Sequence, residues 1–140
     1  MATKTYNSQS AIIIIRLMVG LVFLSEGIQK FMFPQTLGIG RFETIGFPHP
    51  QFFALLAGSF EIFCGILVIC GFYTRLAAIP LLIVILTAIY STKIPFFIHK
   101  GFWATMHESR TDFCMLMGLI FILIVGGGKL AIDTKLKKHK

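Results

Sequence analysis

The sequence is poor in charged residues. Asp, Glu, Lys and Arg make up only 14% of its 140 residues, whereas 56% are hydrophobic. Soluble domains usually carry about 25% charged residues, and a water-soluble fold of this size has too little interior to hide so much apolar surface. The mean hydropathy of +0.82 points the same way. The composition therefore excludes an ordinary soluble domain and predicts an integral membrane protein.

Paired thiols and histidines within apolar segments are also missing. The three cysteines form no C-x-x-C pair, so we interpret them as small buried hydrophobic residues and not as a redox dithiol. The four histidines lie outside the apolar segments, which argues against haem ligation. His107, Glu108 and Asp112 follow no standard metal-site spacing. The glycine triplet at 126–128 lacks a following Gly-Lys-Ser, which excludes a phosphate-binding loop. We therefore expect no metal and no intrinsic cofactor.

Four apolar segments predict an all-α, four-helix membrane bundle forming one domain. The predicted spans are about residues 11–33, 52–70, 74–92 and 110–127. A span needs about 20 residues, within a range of about 17 to 25; the first two segments satisfy this, and the last two need their flanks. An interfacial helix is the alternative for the fourth. A cleaved signal peptide is the alternative for the first, but Arg16 within it and the absence of a small-residue cleavage site favour an uncleaved span.

The basic residues predict the orientation, because cytoplasmic loops carry an excess of Lys and Arg. Four spans place both termini on one side. That side collects seven basic residues, Lys4, Arg75, Lys129, Lys135, Lys137, Lys138 and Lys140, and the other side four, Arg41, Lys93, Lys100 and Arg110. We therefore predict cytoplasmic termini, periplasmic loops at 34–51 and 93–109, and a basic cytoplasmic tail at 129–140 facing anionic headgroups. A short amphipathic helix is expected within 41–48. The net charge of +7 then needs no nucleic-acid partner.

Four ionisable residues interrupt the first two spans: Arg16, Glu26, Lys30 and Glu61. Such residues are costly in a membrane and usually face a bundle interior or a wet cavity. Glu26 and Lys30 are four positions apart, in the favourable order for an ion pair. Long basic side chains from the first span, Arg16 or Lys30, are expected to reach toward Glu61 near mid-depth of the second span.

Glycines accompany these charges on the same helix faces. At about 100° per residue, Gly20 and Gly27 lie on one stripe of the first span, and Gly58 and Gly65 lie beside Glu61 on the second. Glycine lets neighbouring helices approach closely. The pattern therefore predicts a close contact between these two helices.

Two interpretations of the buried charges remain open. In one, they pair and hold the bundle together, with long basic side chains partly extended to the interfaces. In the other, they line a polar pocket that binds a quinone-like or other amphipathic molecule, or moves a proton, with Glu61 as the titrating group.

The sequence resembles the DoxX family of small bacterial membrane proteins. The resemblance rests on four stretches in order: Arg16 to Lys30, Phe42 to Pro48, Ala57 to Arg75, and Gly126 to Asp133. It implies a four-helix bundle in the bacterial inner membrane, and it places seven residues on family motif positions: Arg16, Gly27, Lys30, Glu61, Gly65, Gly71 and Arg75. Glu26 departs from the pattern, because relatives often carry histidine or another residue there.

The resemblance also implies a function by analogy. Family members have been linked to a membrane subunit of thiosulfate:quinone oxidoreductase and to redox-homeostasis complexes. We therefore expect an accessory subunit of a quinone-linked oxidoreductase or of a redox-homeostasis complex, with Arg16, Glu26, Lys30 and Glu61 lining the pocket and a bound quinone as ligand. Arg75, His107 and Asp112 are secondary candidates. The alternative is a non-enzymatic scaffold or small-solute carrier, for which a homo-oligomer is expected.

Overall fold

The computed structural model describes residues 8–137, which fold into helices connected by short turns. Its elements are α1 (Ser8–Met32), α2 (Ile39–Ile45), α3 (Pro50–Cys70), α4 (Thr74–Ala88), a π-helical turn (Ile89–Lys93), α5 (Ile94–Lys100), α6 (Phe102–Glu108), α7 (Arg110–Val125) and α8 (Ile132–Lys137). Within the described residues there is no strand, which confirms the all-α prediction. Lys4, Lys138, His139 and Lys140 lie outside these residues.

Three helical stretches are long and apolar enough to cross a membrane: Ser8–Met32, Pro50–Cys70 and Thr74–Lys100. The third is longer than predicted, because the π-helical turn continues α4 directly into α5. Helix α7 has 16 residues and is therefore about 24 Å long, just below the usual length of a span. The chain is thus a multi-pass membrane protein by length and composition.

Helices α1, α3, α4 and α7 pack around a common apolar core. Contacts join α1 to α3, α3 to α4, α4 to α7 and α7 back to α1, so α1 and α4 lie diagonally across the group. The core residues include Val19, Val68, Leu81, Leu119 and Ile122, all fully buried. Large apolar side chains on the outer faces are exposed, as expected of helices surrounded by lipid.

The α1–α3 contact is the closest, and glycines make it possible. A methyl group added at Gly20 would lie 2.9 Å from the carbonyl oxygen of Gly65. One added at Gly27 would lie 2.8 Å from the carbonyl oxygen of Gly58. The close contact predicted from the glycine stripes is confirmed.

The four packed helices alternate in direction, which gives the group two distinct ends. The termini end holds the start of α1, the end of α3, the start of α4 and the end of α7. The cavity end holds the opposite ends of the same helices, together with α2, α5 and α6. This division separates the polar residues into two groups, described below.

Residues 93–109 differ most from their prediction as a loop, because they form α5 and α6. Side chains of the π-helical turn before them donate to carbonyls at the end of α4: Ser91 Oγ to the Thr87 carbonyl at 2.7 Å and Thr92 Oγ1 to the Ala88 carbonyl at 2.6 Å. The polar and aromatic residues of 93–109 are therefore compatible with helical structure. The predicted short helix near 41–48 is present as α2. Of the cysteines, Cys64 is buried, whereas Cys70 and Cys114 are exposed.

Candidate functional site

A cavity of about 640 Å³ opens between the packed helices at the cavity end. This volume falls within the range of about 300 to 1,000 Å³ typical of small-molecule sites. Phenylalanine and aliphatic side chains form most of the wall, and α2 contributes part of it. The charged or hydroxyl-bearing residues of the wall are Glu26, Lys30, Arg41, Glu61, Thr87, Ser91, Thr92, Lys93, Glu108, Thr111 and Asp112.

Lys30 and Glu61 form the buried ion pair of this wall. Lys30 lies in the last turn of α1, and Glu61 lies about 16 Å into α3 at 1.5 Å per residue. Lys30 Nζ donates a hydrogen bond to Glu61 Oε1 at 3.0 Å and lies 2.7 Å from Oε2. Oε2 is buried, and despite this short distance no well-oriented hydrogen bond reaches it. The Glu61 side chain is 4% exposed, so its charge depends on Lys30 for compensation.

Glu26 lines the same cavity but does not pair with Lys30. The i, i+4 spacing predicted that ion pair, yet Lys30 reaches across to Glu61 instead. The physical reason is burial: a carboxylate inside the bundle needs a counter-charge far more than the exposed Glu26 does. Glu26 forms no ion pair with any residue that the structure describes.

A second charged cluster lies in the cavity wall, and it contains the secondary candidate Asp112 together with Lys93 and Glu108, which were not predicted as site residues. Lys93, the last residue of the π-helical turn, lies 3.2 Å from Asp112 Oδ2 and 3.8 Å from Glu108 Oε1. The π turn is an irregularity often found at functional sites, and here it sets the direction of Lys93. Asp112 lies in the first turn of α7, where the helix dipole favours a negative charge. In the sequence, the one indication of a role for Lys93 was its position at the boundary between an apolar span and a polar segment.

Arg16 does not join the cavity, contrary to the expectation that it would reach Glu61 and line the pocket. It is 1% exposed and lies at the termini end. Its Nε donates to the Val68 carbonyl at 2.9 Å, Nη2 to the Ile69 carbonyl at 2.5 Å and Nη1 to the Gly127 carbonyl at 3.1 Å. These carbonyls lie in the last turn of α3 and just beyond α7, where helix geometry leaves carbonyls without their usual helical donors. The Val68 carbonyl also accepts a hydrogen bond from the Gly71 N–H at 3.2 Å. Because α1 and α3 are antiparallel, Arg16 meets the end of α3 and not its middle.

Arg75 and Asp133 make further polar contacts at the termini end. Arg75 Nη2 donates to the Ile124 carbonyl at 2.8 Å, near the end of α7. Asp133, on α8, accepts hydrogen bonds from the backbone N–H groups of Tyr73 and Thr74 and from the Thr74 hydroxyl, at 2.7, 3.0 and 2.6 Å. Asp133 thus acts as an N-cap for α4 from a distant part of the chain. Arg75 therefore lies apart from the cavity.

The hydrogen bonds that Asp133 accepts also affect the pKa of its carboxyl group. Burial raises the pKa of this carboxyl, but the hydrogen bonds from Thr74 and Tyr73 and the charge of Lys137 lower it more, so the pKa lies below its ordinary value. Asp133 is therefore a carboxylate at neutral pH and holds the start of α4 by charge-assisted hydrogen bonds.

The other secondary candidate, His107, lies outside the cavity wall. It is exposed near the end of α6, and its carbonyl accepts a hydrogen bond from Arg110. Among residues 8–137, no group of three or more His, Cys, Asp or Glu side chains is placed to hold a metal ion. The cavity wall combines lysine donors, carboxylate acceptors and aromatic rings, a set that suits an amphipathic organic molecule.

Known proteins resemble the chain along most of its length. The sequence profile of the DoxX family matches residues 11–100. The uncharacterised membrane protein Rv3486 of Mycobacterium tuberculosis (strain ATCC 25618 / H37Rv) is 54% identical over 135 residues, which cover 92% of this chain and 83% of that protein. CatD of Bacillus subtilis (strain 168), named as a candidate oxidoreductase, is 27% identical over 130 residues, 91% of this chain and 88% of CatD. No solved structure matches. The extent of the family match and the identity to the mycobacterial protein establish that the chain belongs to the DoxX family.

Proposed function

We propose that the protein is an accessory membrane subunit of a quinone-linked oxidoreductase and that its cavity binds a quinone-type ring. The observation that carries the proposal is the cavity itself: about 640 Å³, largely apolar and aromatic, with Lys30 and Lys93 in its wall. Lysine ammonium groups donate hydrogen bonds to carbonyl oxygens, and the aromatic wall suits a flat ring. The oxidoreductase designation of CatD supports the same class of chemistry.

The proposal includes a membrane arrangement. Helix α7 serves as the fourth span, with Glu108 to Gly128 providing the length that its 16 helical residues lack, and its buried face against α1 and α4 supports this placement. An even number of spans puts both termini on one side. The excess of basic residues there makes it the cytoplasmic side of a bacterial inner membrane. The cavity then opens toward the periplasmic half of the bilayer.

The residues of the wall would have distinct roles. A quinone would supply the redox group, and Lys30 would hold one of its oxygens while remaining paired with Glu61. Glu26 would contribute a carboxylate to the same wall, without an ion pair among the described residues. The partner subunit would supply the remaining electron-transfer groups.

A scaffold is the second candidate, because several polar contacts join helices without facing the cavity. Arg16 binds the ends of α3 and α7, and Arg75 binds the end of α7. In this case the Lys30–Glu61 pair would also be structural, fastening α1 to α3.

Identification of co-purified molecules separates the two candidates. The protein is purified in mild detergent, and its lipophilic contents are extracted and analysed by mass spectrometry, with Glu61→Gln and Lys30→Ala compared with the wild type. Binding predicts a quinone in the wild type and at least a tenfold loss in both variants. Glu43→Gln is the matched control, because Glu43 is exposed on α2 outside the cavity wall.

The stability of each variant is measured by gel filtration and thermal unfolding. A wild type without any specific molecule contradicts the binding proposal. Variants that only lose their fold, with no ligand in the wild type, favour the scaffold.

A further inference from the structure

We propose that Lys93 is a second anchor of the cavity, so that the site selects a ring bearing oxygen atoms at two opposite positions. The inference rests on the proposed function and specifies the class of ligand. It starts from a symmetry in the wall: two lysines, each with a side chain 13% exposed, each paired with acidic residues, line one cavity.

The two lysines approach the cavity from different helices. Lys30 lies in the last turn of α1, whereas Lys93 is the last residue of the π-helical turn that continues α4. Helices α1 and α4 are diagonal in the packed group, since α3 and α7 lie between them. A molecule lying between the two lysines therefore meets an ammonium group on each of two sides.

Both ammonium groups keep donors for a ligand. A lysine has three N–H donors. Lys30 uses one in a well-oriented hydrogen bond to Glu61. The contacts of Lys93 are longer, at 3.2 Å to Asp112, 3.8 Å to the Glu108 carboxylate and 3.4 Å to the Glu108 carbonyl. The acidic partners thus position each lysine without saturating it.

Most of the remaining wall is apolar, which suits an apolar middle for the ligand. Phe23, Phe53, Phe60, Ile83 and Met115 contribute to it. An apolar ring with an oxygen at each end satisfies both lysines and this middle. A ring with one oxygen leaves a lysine facing an apolar group, and the loss of such a hydrogen bond to a charged donor costs about tenfold or more in affinity.

Two probes that differ at one atom test this directly. Anthraquinone carries two opposite carbonyl oxygens, and anthrone has the same three rings with one carbonyl replaced by a methylene. Their dissociation constants for the purified protein are measured in detergent without oxygen. We expect anthraquinone to bind the wild type at least about tenfold more tightly.

Variants then assign the difference to Lys93. Lys93→Met should weaken anthraquinone about tenfold and change anthrone less than threefold, because anthrone can still use Lys30. Lys100→Met is the matched control: Lys100 is exposed at the end of α5 and outside the cavity wall. If Lys93→Met does not fold, Lys93→Met combined with Asp112→Asn replaces it, since this pair removes both charges.

The outcomes separate the inference from the function on which it rests. Equal affinity of the wild type for both probes overturns the second anchor and leaves quinone binding in place. An equal loss of both probes in the Lys93 variant also overturns it. If neither probe binds the wild type, both proposals fail.

Discussion

Replacement of Arg16 by methionine tests how strongly the termini end is held together. The variant removes three hydrogen bonds from a side chain that is 1% exposed. The carbonyls of Ile69 and Gly127 lose the guanidinium donor, whereas the Val68 carbonyl keeps the Gly71 N–H at 3.2 Å. Each buried group left unsatisfied costs about 1 to 3 kcal/mol. Removal of the buried charge returns part of this, because the guanidinium no longer has to be desolvated. We therefore expect a loss of about 3 to 4 kcal/mol in the free energy of unfolding.

The assay is equilibrium unfolding of purified protein in mixed micelles, followed by circular dichroism at increasing denaturing detergent. Arg16→Lys should fall between wild type and Arg16→Met, because an ammonium keeps the charge but loses the planar fork of donors. Arg110→Met is the control: Arg110 is exposed, donates one hydrogen bond to the His107 carbonyl, and should change stability by less than about 1 kcal/mol. A loss below about 1 kcal/mol for Arg16→Met would refute the assignment of Arg16 as the fastening of this end.

Three further predictions concern other contacts. Asp133→Ala should cost about 1 to 2 kcal/mol, since α4 loses its N-cap. Because the folded pKa of Asp133 is lowered, its stabilisation is present above the unfolded pKa of about 3.9 and is lost as pH falls through the folded value; Asp133→Asn should therefore flatten that acid limb, and an unchanged limb contradicts it. Lys30→Ala should destabilise by about 3 to 5 kcal/mol, and Lys30→Met with Glu61→Gln by clearly less, because the double variant leaves no unpaired buried charge; equal losses in detergent unfolding contradict this. Gly27→Ala should cost about 1 to 3 kcal/mol by forcing α1 from α3, and an unchanged unfolding midpoint would show that the helices separate freely.

Much of the fold was predictable because its determinants are local. Continuous apolar length predicted α1, α3 and α4, and helical periodicity predicted the glycine faces that meet between α1 and α3. The same periodicity placed Lys30 and Glu61 on facing surfaces, and they pair. These features depend on spacing along one helix or on the contact of two consecutive spans.

The remaining site depends on register and on distant contacts. Arg16 and Lys30 lie on one stripe of α1. The sequence could not show that Arg16 lies beside the end of α3, whereas Lys30 lies beside its middle. Lys93 required knowledge of the π-helical turn and of the start of α7 beside it. Asp133 accepts a hydrogen bond from Thr74, which is 59 residues away in the sequence. No local sequence pattern predicts a contact over this separation.

The polar contacts of the termini end lie apart from the cavity. None of the residues that close that end, Arg16, Arg75 and Asp133, belongs to the cavity wall. A molecule in the cavity therefore contacts none of the three side chains that fasten the opposite end. Passage to the far side would first have to break the hydrogen bonds of both arginines.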